Sequence, residues 1–477
     1  MTGLIKRYAT RPEVAAAVLG LSSALAAPAG AGMIGFDATL APVSSTLQKR
    51  AALDYWTPSD YPWLAKFDGV TDDTAAIAAC ATACRAAAVK KGMRLPMGRA
   101  VVSASLDLSG LVVDGPGEDK CVLQATAAQF DVVTTTGETD LFGFTIFGGW
   151  DGATAGQAGD GIAVKAVAPA FPYNVHIDGI RLLNCKRRGI YIERGGYASI
   201  TRVRCNASGL HGLELYGPDA ANAATTVKVD QSCIFSDTPN GRSVKITNGV
   251  NITIDTLISE NTGGIELLGL SNRNIAITNS YQENTVGTEW VTLTGSGVGL
   301  RMYGNYGVGY RITPSANWDR VVIGGDNTFD IASGAIPAGW KLLRGTSIQI
   351  VGGAETTTAT LGGVNFTACQ CTLPPGIWMI QGTMQTINSA GATLVSAGFR
   401  LTNSPAANVV ATTGGGFISD EILVGPYSAA NAASRPSLTV IYENTTGANE
   451  TFYMRGFINI SAGTIAYKGA MRAVRIG

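Results

Sequence analysis

Five segments between Val175 and Leu293 share one polar–apolar–polar beat: His176-Ile177-Asp178, Ser199-Ile200-Thr201, Lys228-Val229-Asp230, Thr253-Ile254-Asp255 and Ala276-Ile277-Thr278, the last opening on Ala. Their central residues lie 23, 29, 25 and 23 positions apart. Each is followed by a second segment: Gly189-Ile190-Tyr191-Ile192, Gly212-Leu213-Glu214-Leu215, Ser243-Val244-Lys245-Ile246, Gly264-Ile265-Glu266-Leu267 and Trp290-Val291-Thr292-Leu293. Alternation with period two predicts strands. Strand units repeating every 20 to 30 residues predict a β-solenoid, in which one coil cannot bury its apolar face and is stable only against its neighbours.

Other parts of the chain keep different time. Ala75 to Lys91 has helical composition, with Ile77, Cys80, Cys84 and Ala88 on one side and Lys90-Lys91-Gly92 as a stop. A strand at Leu141–Ile146 leads into a glycine-rich excursion from Gly148 to Gly161, a place for a binding loop or an open tip. From Ile331 to Gly339 the pattern loosens. Beyond it, Ser347–Val351, Ile377–Ile380, Leu438–Tyr442 and Phe452–Met454 alternate in the manner of an antiparallel β-sandwich. The first thirty residues resemble a secretory signal in charge and small-residue content, but Ala29-Gly30-Ala31-Gly32-Met33-Ile34-Gly35-Phe36 continues the small-residue stretch past any cleavage site and favours an Ala-rich helix and hinge. No stretch is long and apolar enough to span a membrane.

Composition narrows the chemistry. Sixty glycines with only 15 % charged residues suit many short strands and tight turns. A net charge of zero gives no electrostatic case for nucleic acid. Eight cysteines without zinc-ligand spacing, and two histidines, predict no metal site and no cofactor; Cys185, Cys205 and Cys233, about one per coil, read as buried thiols stacked in the core.

Asp68-Gly69-Val70-Thr71-Asp72-Asp73-Thr74-Ala75-Ala76-Ile77 resembles the motif that opens the β-helix in the pectate-lyase-like family, which includes bacteriophage tailspikes. Its acids read as structural: Asp68-Gly69 makes a turn, and Thr71, Asp72 or Asp73 accepts hydrogen bonds from the N–H groups that open a helix. Leu25–Pro28 through Gly32–Phe36, followed by Ser45–Gln48, is similar to the segment preceding the β-helix in many tailspikes, and Thr464–Ile476 resembles the closing strand of phage tail-fibre C-terminal domains. Two departures touch packing: Phe67 stands where the family has Gly, and the strand before Pro96 is reduced to Met93-Arg94-Leu95. The resemblance spans about residues 24–340. It implies an all-β chain: a right-handed parallel β-helix with a short N-terminal helical segment and a C-terminal antiparallel β-sandwich. The implied parts are a particle-attachment segment 1–60, the opening motif and capping helix 61–110, the β-helix 111–340, and a sandwich 341–477 for trimerisation or glycan binding. It further implies a homotrimeric receptor-binding protein on the virion, joined through its N-terminus to a tail or baseplate protein. Such a protein acts outside the host cell on a bacterial surface polysaccharide: capsule, exopolysaccharide or O-antigen.

Candidate chemistry follows from the outward positions. In the second-segment column these are Tyr191, Glu214, Lys245, Glu266 and Thr292. With coils about 4.8 Å apart, Glu214 and Glu266 would stand roughly 10 Å apart, near the roughly 6.5–9.5 Å of an inverting glycosidase. Asp230 and Asp255, on adjacent coils about 5 Å apart, are closer to a retaining arrangement. Either pair would supply an acid and a base for glycoside hydrolysis, with Tyr191, Lys245, Tyr281 and Trp290 as substrate-binding residues. Two alternatives stay open. One is a polysaccharide lyase with Lys245, Tyr191 or His211 as base; the other is a non-catalytic glycan-binding fibre or adhesin. A third acidic set, Ser259-Glu260-Asn261-Thr262 and Gln282-Glu283-Asn284-Thr285, reads as a hydrogen-bonding ladder of stacked turns.

Overall fold

A computed structural model describes residues 55–60, 62–87, 91–127, 129–152, 159–165, 173–238, 240–283, 289–332, 336–343, 346–350, 356–358, 362–388, 393–403, 422–424, 433–434, 437–462 and 465–476. The expected attachment segment therefore lies almost wholly outside the described residues, as does the middle of the glycine-rich excursion. The chain forms two compact units: residues up to Ile192 with Gly196–Leu210, and Glu193–Gly195 with His211–Gly477.

Each unit contains parallel β-helix coils that contribute strands to three sheets, and the second also holds antiparallel strands towards its C-terminal end. In the first unit the first sheet ends with Thr139–Phe142, Tyr173–Asp178 and Gly196–Thr201, and Ile177 pairs with Leu141 on one side and Ile200 on the other. The second sheet runs from Asp68–Asp72 to Arg204–Asn206, and the third from Leu106–Asp107 to Arg188–Glu193. In the second unit Val229, Ile254, Ile277 and Met302 form one inward column, and Leu213, Val244, Ile265 and Val291 another. The core is made of such columns: isoleucine on isoleucine, wholly withdrawn from water.

The helix spans Thr74–Ala86 and buries Ile77, Cys80, Ala81 and Cys84 against the first coil's strands. It stops before the expected Lys91, because Gly92 already opens the strand Gly92–Arg94. Asp72 accepts the Thr74 N–H at 3.0 Å, whereas the buried Asp73 turns back to accept the N–H groups of Lys66 and Phe67 at 2.6 and 2.9 Å. Phe67 adopts φ 51°, a left-handed conformation that glycine takes without strain, which accounts for the family's glycine there. All eight cysteines are free and buried.

Turn carboxylates tie coil to coil. Hydrogen bonds from the Thr71 and Val70 N–H groups bring Asp68 down to about 2. Ser103 and Thr74 lower Asp72, and Arg202 lowers Asp178. Because these folded pKa values lie below the unfolded one, the stability they contribute is full above about pH 4. It is lost as pH falls through the folded values. Melting temperature should therefore fall steeply between about pH 4 and pH 2, and Asp178→Asn, Asp72→Asn should flatten that fall in differential scanning calorimetry.

Parallel pairing continues through Trp340–Leu342 and Ser347–Ile350, so the expected boundary at residue 340 falls inside the β-helix. The alternation of Ser347-Ile348-Gln349-Ile350 suits a parallel rung as well as a sandwich strand, and periodicity alone cannot separate them. On its other edge this strand pairs antiparallel with Ile465–Arg475, which pairs with Gly376–Asn388 and so on to Ser437–Asn444. A second antiparallel sheet holds Gly362–Leu373, Glu450–Ala462, Thr393–Thr402 and Ile422–Val424. The sheets meet at Gly382, where a Cβ would lie 2.8 Å from Leu401 and 3.1 Å from the Met454 sulfur.

Candidate functional site

The third sheet of the second unit sets Glu214, Lys245, Glu266 and Thr292 in one column, in the register the sequence predicts. Its chemistry differs from the expectation. Glu214 is only 8 % exposed and pairs with Lys245 at 3.5 Å. Glu266 pairs with Arg242 at 3.6 Å and accepts the Thr294 hydroxyl at 2.9 Å. Each carboxylate thus holds its own cation, and the column is an alternating ion-pair ladder. Glu214→Gln should leave turnover within about twofold, while Lys245→Met, which removes the cation paired with a buried carboxylate, should lower stability by about 1–3 kcal/mol; a reducing-end assay and urea unfolding check the two.

Asp230 and Asp255 end first-sheet strands and serve the following turns. Asp230 pairs with Lys228 at 2.5 Å and accepts the Gln231 N–H at 2.6 Å. Asp255 accepts the Thr278 hydroxyl at 2.8 Å and the Asn279 amide at 2.9 Å. The Lys228 ammonium holds Asp230 below the usual carboxylate range.

Trp290 departs furthest from its expected role. It is 1 % exposed, stacks on Phe329 and donates its indole N–H to the Tyr306 carbonyl, so no face remains for a sugar. Tyr191, in the first unit, is also buried, beneath the Arg188 guanidinium 3.5 Å from its ring centroid. His211 is buried, and its Nδ1 accepts the Arg242 N–H at 3.0 Å.

The second sheet of the second unit carries a different arrangement. Its strands are Ile234–Ser236, Ile258–Glu260 and Tyr281–Glu283. Phe235, Ser259 and Gln282 point into the core; on either side of them run two outward columns. One is apolar: Ile234, Ile258, Tyr281, continued by Tyr306 through a bridge to Tyr281. The two tyrosine rings stack at 5.4 Å and 12°, and Tyr306 is 48 % exposed. The other column starts from the buried Ser236 and continues in Glu260 and Glu283, with the two glutamates directly opposite one another on adjacent coils, about 4.8 Å apart along the axis. Neither carboxylate pairs with a cation among the described residues. The Tyr281 hydroxyl donates to Glu283, and that bond pushes the phenol up to about 12, so it is a donor at neutral pH.

The Glu-Asn-Thr repeat therefore divides. Thr262 and Asn261 do the ladder work: Thr262 Oγ1 lies 2.5 Å from Ser243 and accepts the Gly264 N–H, and Asn261 donates to Asp237 at 3.0 Å. Asn284 and Thr285 lie outside the described residues. Glu260 and Glu283 are left over from that work. The 23-residue spacing already placed them in register; what it lacked was the neighbouring aromatic pair.

No family model matches the chain, and no curated protein does. Among solved structures, the chain is similar to full-length tailspike protein 2 from an Escherichia coli O157:H7 bacteriophage, with 14 % identity, a TM-score of 0.46, and coverage of 86 % of this chain and 70 % of that one. The Azotobacter vinelandii mannuronan C-5 epimerase AlgE4 A-module gives 15 % identity and a TM-score of 0.43, over 61 % of this chain and 96 % of that one. An N-terminal fragment of bacteriophage Phi29 gene product 12 gives 13 % and 0.40, over 63 % and 68 %. Likenesses this distant decide nothing about activity.

Proposed function

We propose that the chain is a phage tailspike that binds and hydrolyses a bacterial surface polysaccharide, with Glu260 and Glu283 as the carboxylate pair. The opening motif at Asp68–Ile77 supports the tailspike reading. The observation that carries the hydrolytic reading is the in-register Glu260–Glu283 pair beside the stacked Tyr281 and Tyr306. Glutamates in register on rungs about 4.8 Å apart can bring their carboxyl groups to the roughly 5–5.5 Å of a retaining mechanism. Sugar rings present apolar C–H faces, which the Ile258, Tyr281 and Tyr306 column would accept.

Glu283, which accepts the Tyr281 hydroxyl, is the nucleophile: its oxygen bonds to the anomeric carbon as the glycosidic C–O bond breaks. Glu260 gives its proton to the leaving oxygen. In the second step Glu260 takes a proton from water, whose oxygen attacks the anomeric carbon and releases Glu283. Attachment through the N-terminus, trimerisation through the C-terminal sheets and a place on the virion tail belong to the same proposal.

The ion pairs and burial weigh against hydrolysis by Glu214 and Glu266 and against the lyase. Glu214 and Glu266 are each committed to a cation, and the lyase bases Lys245, His211 and Tyr191 are paired or buried. Incubating the protein with purified capsule, exopolysaccharide and O-antigen should release reducing ends without the ultraviolet absorbance of unsaturated uronates. Products should keep the anomeric configuration of the bond cut, read by proton NMR. Absorbance growth would support the lyase instead, and binding without new reducing ends would support the adhesin.

A further inference from the structure

The second-sheet face carries charge of one sign. Asp237, Glu260 and Glu283 follow one another on three successive coils, at the same corner of the β-helix. The strands between them, Ile234–Ser236, Ile258–Glu260 and Tyr281–Glu283, contain no Lys or Arg. The cation at the neighbouring corner, Arg242, is spent on Glu266 at 3.6 Å and on the Gly263 carbonyl. Asp237 is exposed, and its oxygens accept the Asn261 amide and the Ser236 hydroxyl, both neutral donors that leave its charge uncompensated. By contrast, the third-sheet column alternates acid and base.

We infer that the sugars on both sides of the cleaved bond are uncharged, bearing no carboxylate, sulfate or phosphate, so that the substrate is a neutral or N-acylated polysaccharide at this site. This rests on the hydrolase reading above. A second anion held a few ångströms from Glu260 and Glu283 would meet repulsion from three carboxylates, none of which pairs with a cation among the described residues. What the face offers instead is an apolar strip, Ile234, Ile258, Tyr281 and Tyr306, beside oxygen acceptors suited to sugar hydroxyls. A ring with a bare C–H face and donor hydroxyls meets both columns at once.

The test uses the full chain and a panel of purified bacterial polysaccharides, half of them uncharged and half bearing uronate, phosphate or sulfate. Mass spectrometry of the products identifies the sugar on each side of the cut. The expected result is cleavage between two uncharged sugars, in whichever polymer is cut. Asp237→Asn should then leave KM within about twofold, because an exposed charge acts weakly on a neutral ligand; φ 55° at this position is one that Asn adopts readily. Cleavage beside an acidic sugar, or a KM that falls severalfold in Asp237→Asn, overturns the inference and leaves the hydrolase reading standing. No cleavage of any polymer overturns the hydrolase reading and this inference with it.

Discussion

Glu283→Gln should lower turnover at least about 10³-fold, at the upper part of the range for a positioned catalytic carboxylate, while the melting temperature stays unchanged. The side chain is exposed, so the amide disturbs no packing. Glu260→Gln should cost a comparable factor. The two variants differ in rescue. With Glu283→Ala, added azide should occupy the vacated space and attack the anomeric carbon directly, giving a glycosyl azide of inverted configuration. With Glu260→Ala, azide should attack the glycosyl-enzyme and give the retained product. Tyr281→Phe removes the donor to Glu283 and should slow turnover by about tenfold, without touching the stack on Tyr306. If both glutamine variants keep turnover within tenfold of the parent, the pair is not catalytic and the second-sheet face is a binding surface only.

Asp160→Ala should destabilise the protein by about 3–5 kcal/mol, the usual cost of removing one member of a buried ion pair. Asp160 and Arg188 are 0 % and 1 % exposed. The guanidinium donates to both carboxylate oxygens at 2.8 and 2.7 Å, and Asp160 also accepts the Arg188 N–H. Asp131 extends the cluster, accepting the Asp160 N–H and pairing with Lys165. Burial raises the Asp160 carboxyl although Arg188 pulls it down. Hence the expected asymmetry: Asp160→Ala or Arg188→Met alone is severe, whereas Asp160→Leu with Arg188→Met should recover much of the loss. Urea unfolding of the three variants measures it. Equal losses in the single and double variants would mean that packing of the side-chain stems, not the uncompensated charge, sets the cost.

The coil is legible in the residue order because one physical requirement writes it into the chain. Each rung must place an apolar side chain above its neighbour's, so Val229, Ile254 and Ile277 recur at intervals that can be counted. The buried thiols and the cross-coil register of Glu214, Lys245 and Glu266 follow from the same beat, and the helix over the first coil from a helical pattern of its own. The end of the β-helix is not legible in this way, since Ser347–Ile350 alternates identically whether its partner runs parallel or antiparallel.

Which acids are free to act was decided by tertiary structure. Period-two alternation says that Glu214, Asp230 and Asp255 leave the core, and a repeated turn carries Glu260 and Glu283; neither pattern says what meets them outside. Arg242 reaches Glu266 and Lys228 folds onto Asp230 through long side chains, while Thr278, directly opposite on the next coil, and Asn279 after it donate to Asp255. Trp290 occupies a strand position like its neighbours, yet Phe329 and the Tyr306 carbonyl enclose it. Backbone pairing is set by a repeat that the sequence prints in full. The meeting of side chains depends on turn geometry and reach, which vary from coil to coil, and so only the folded chain leaves Glu260 and Glu283 together beside two stacked tyrosines.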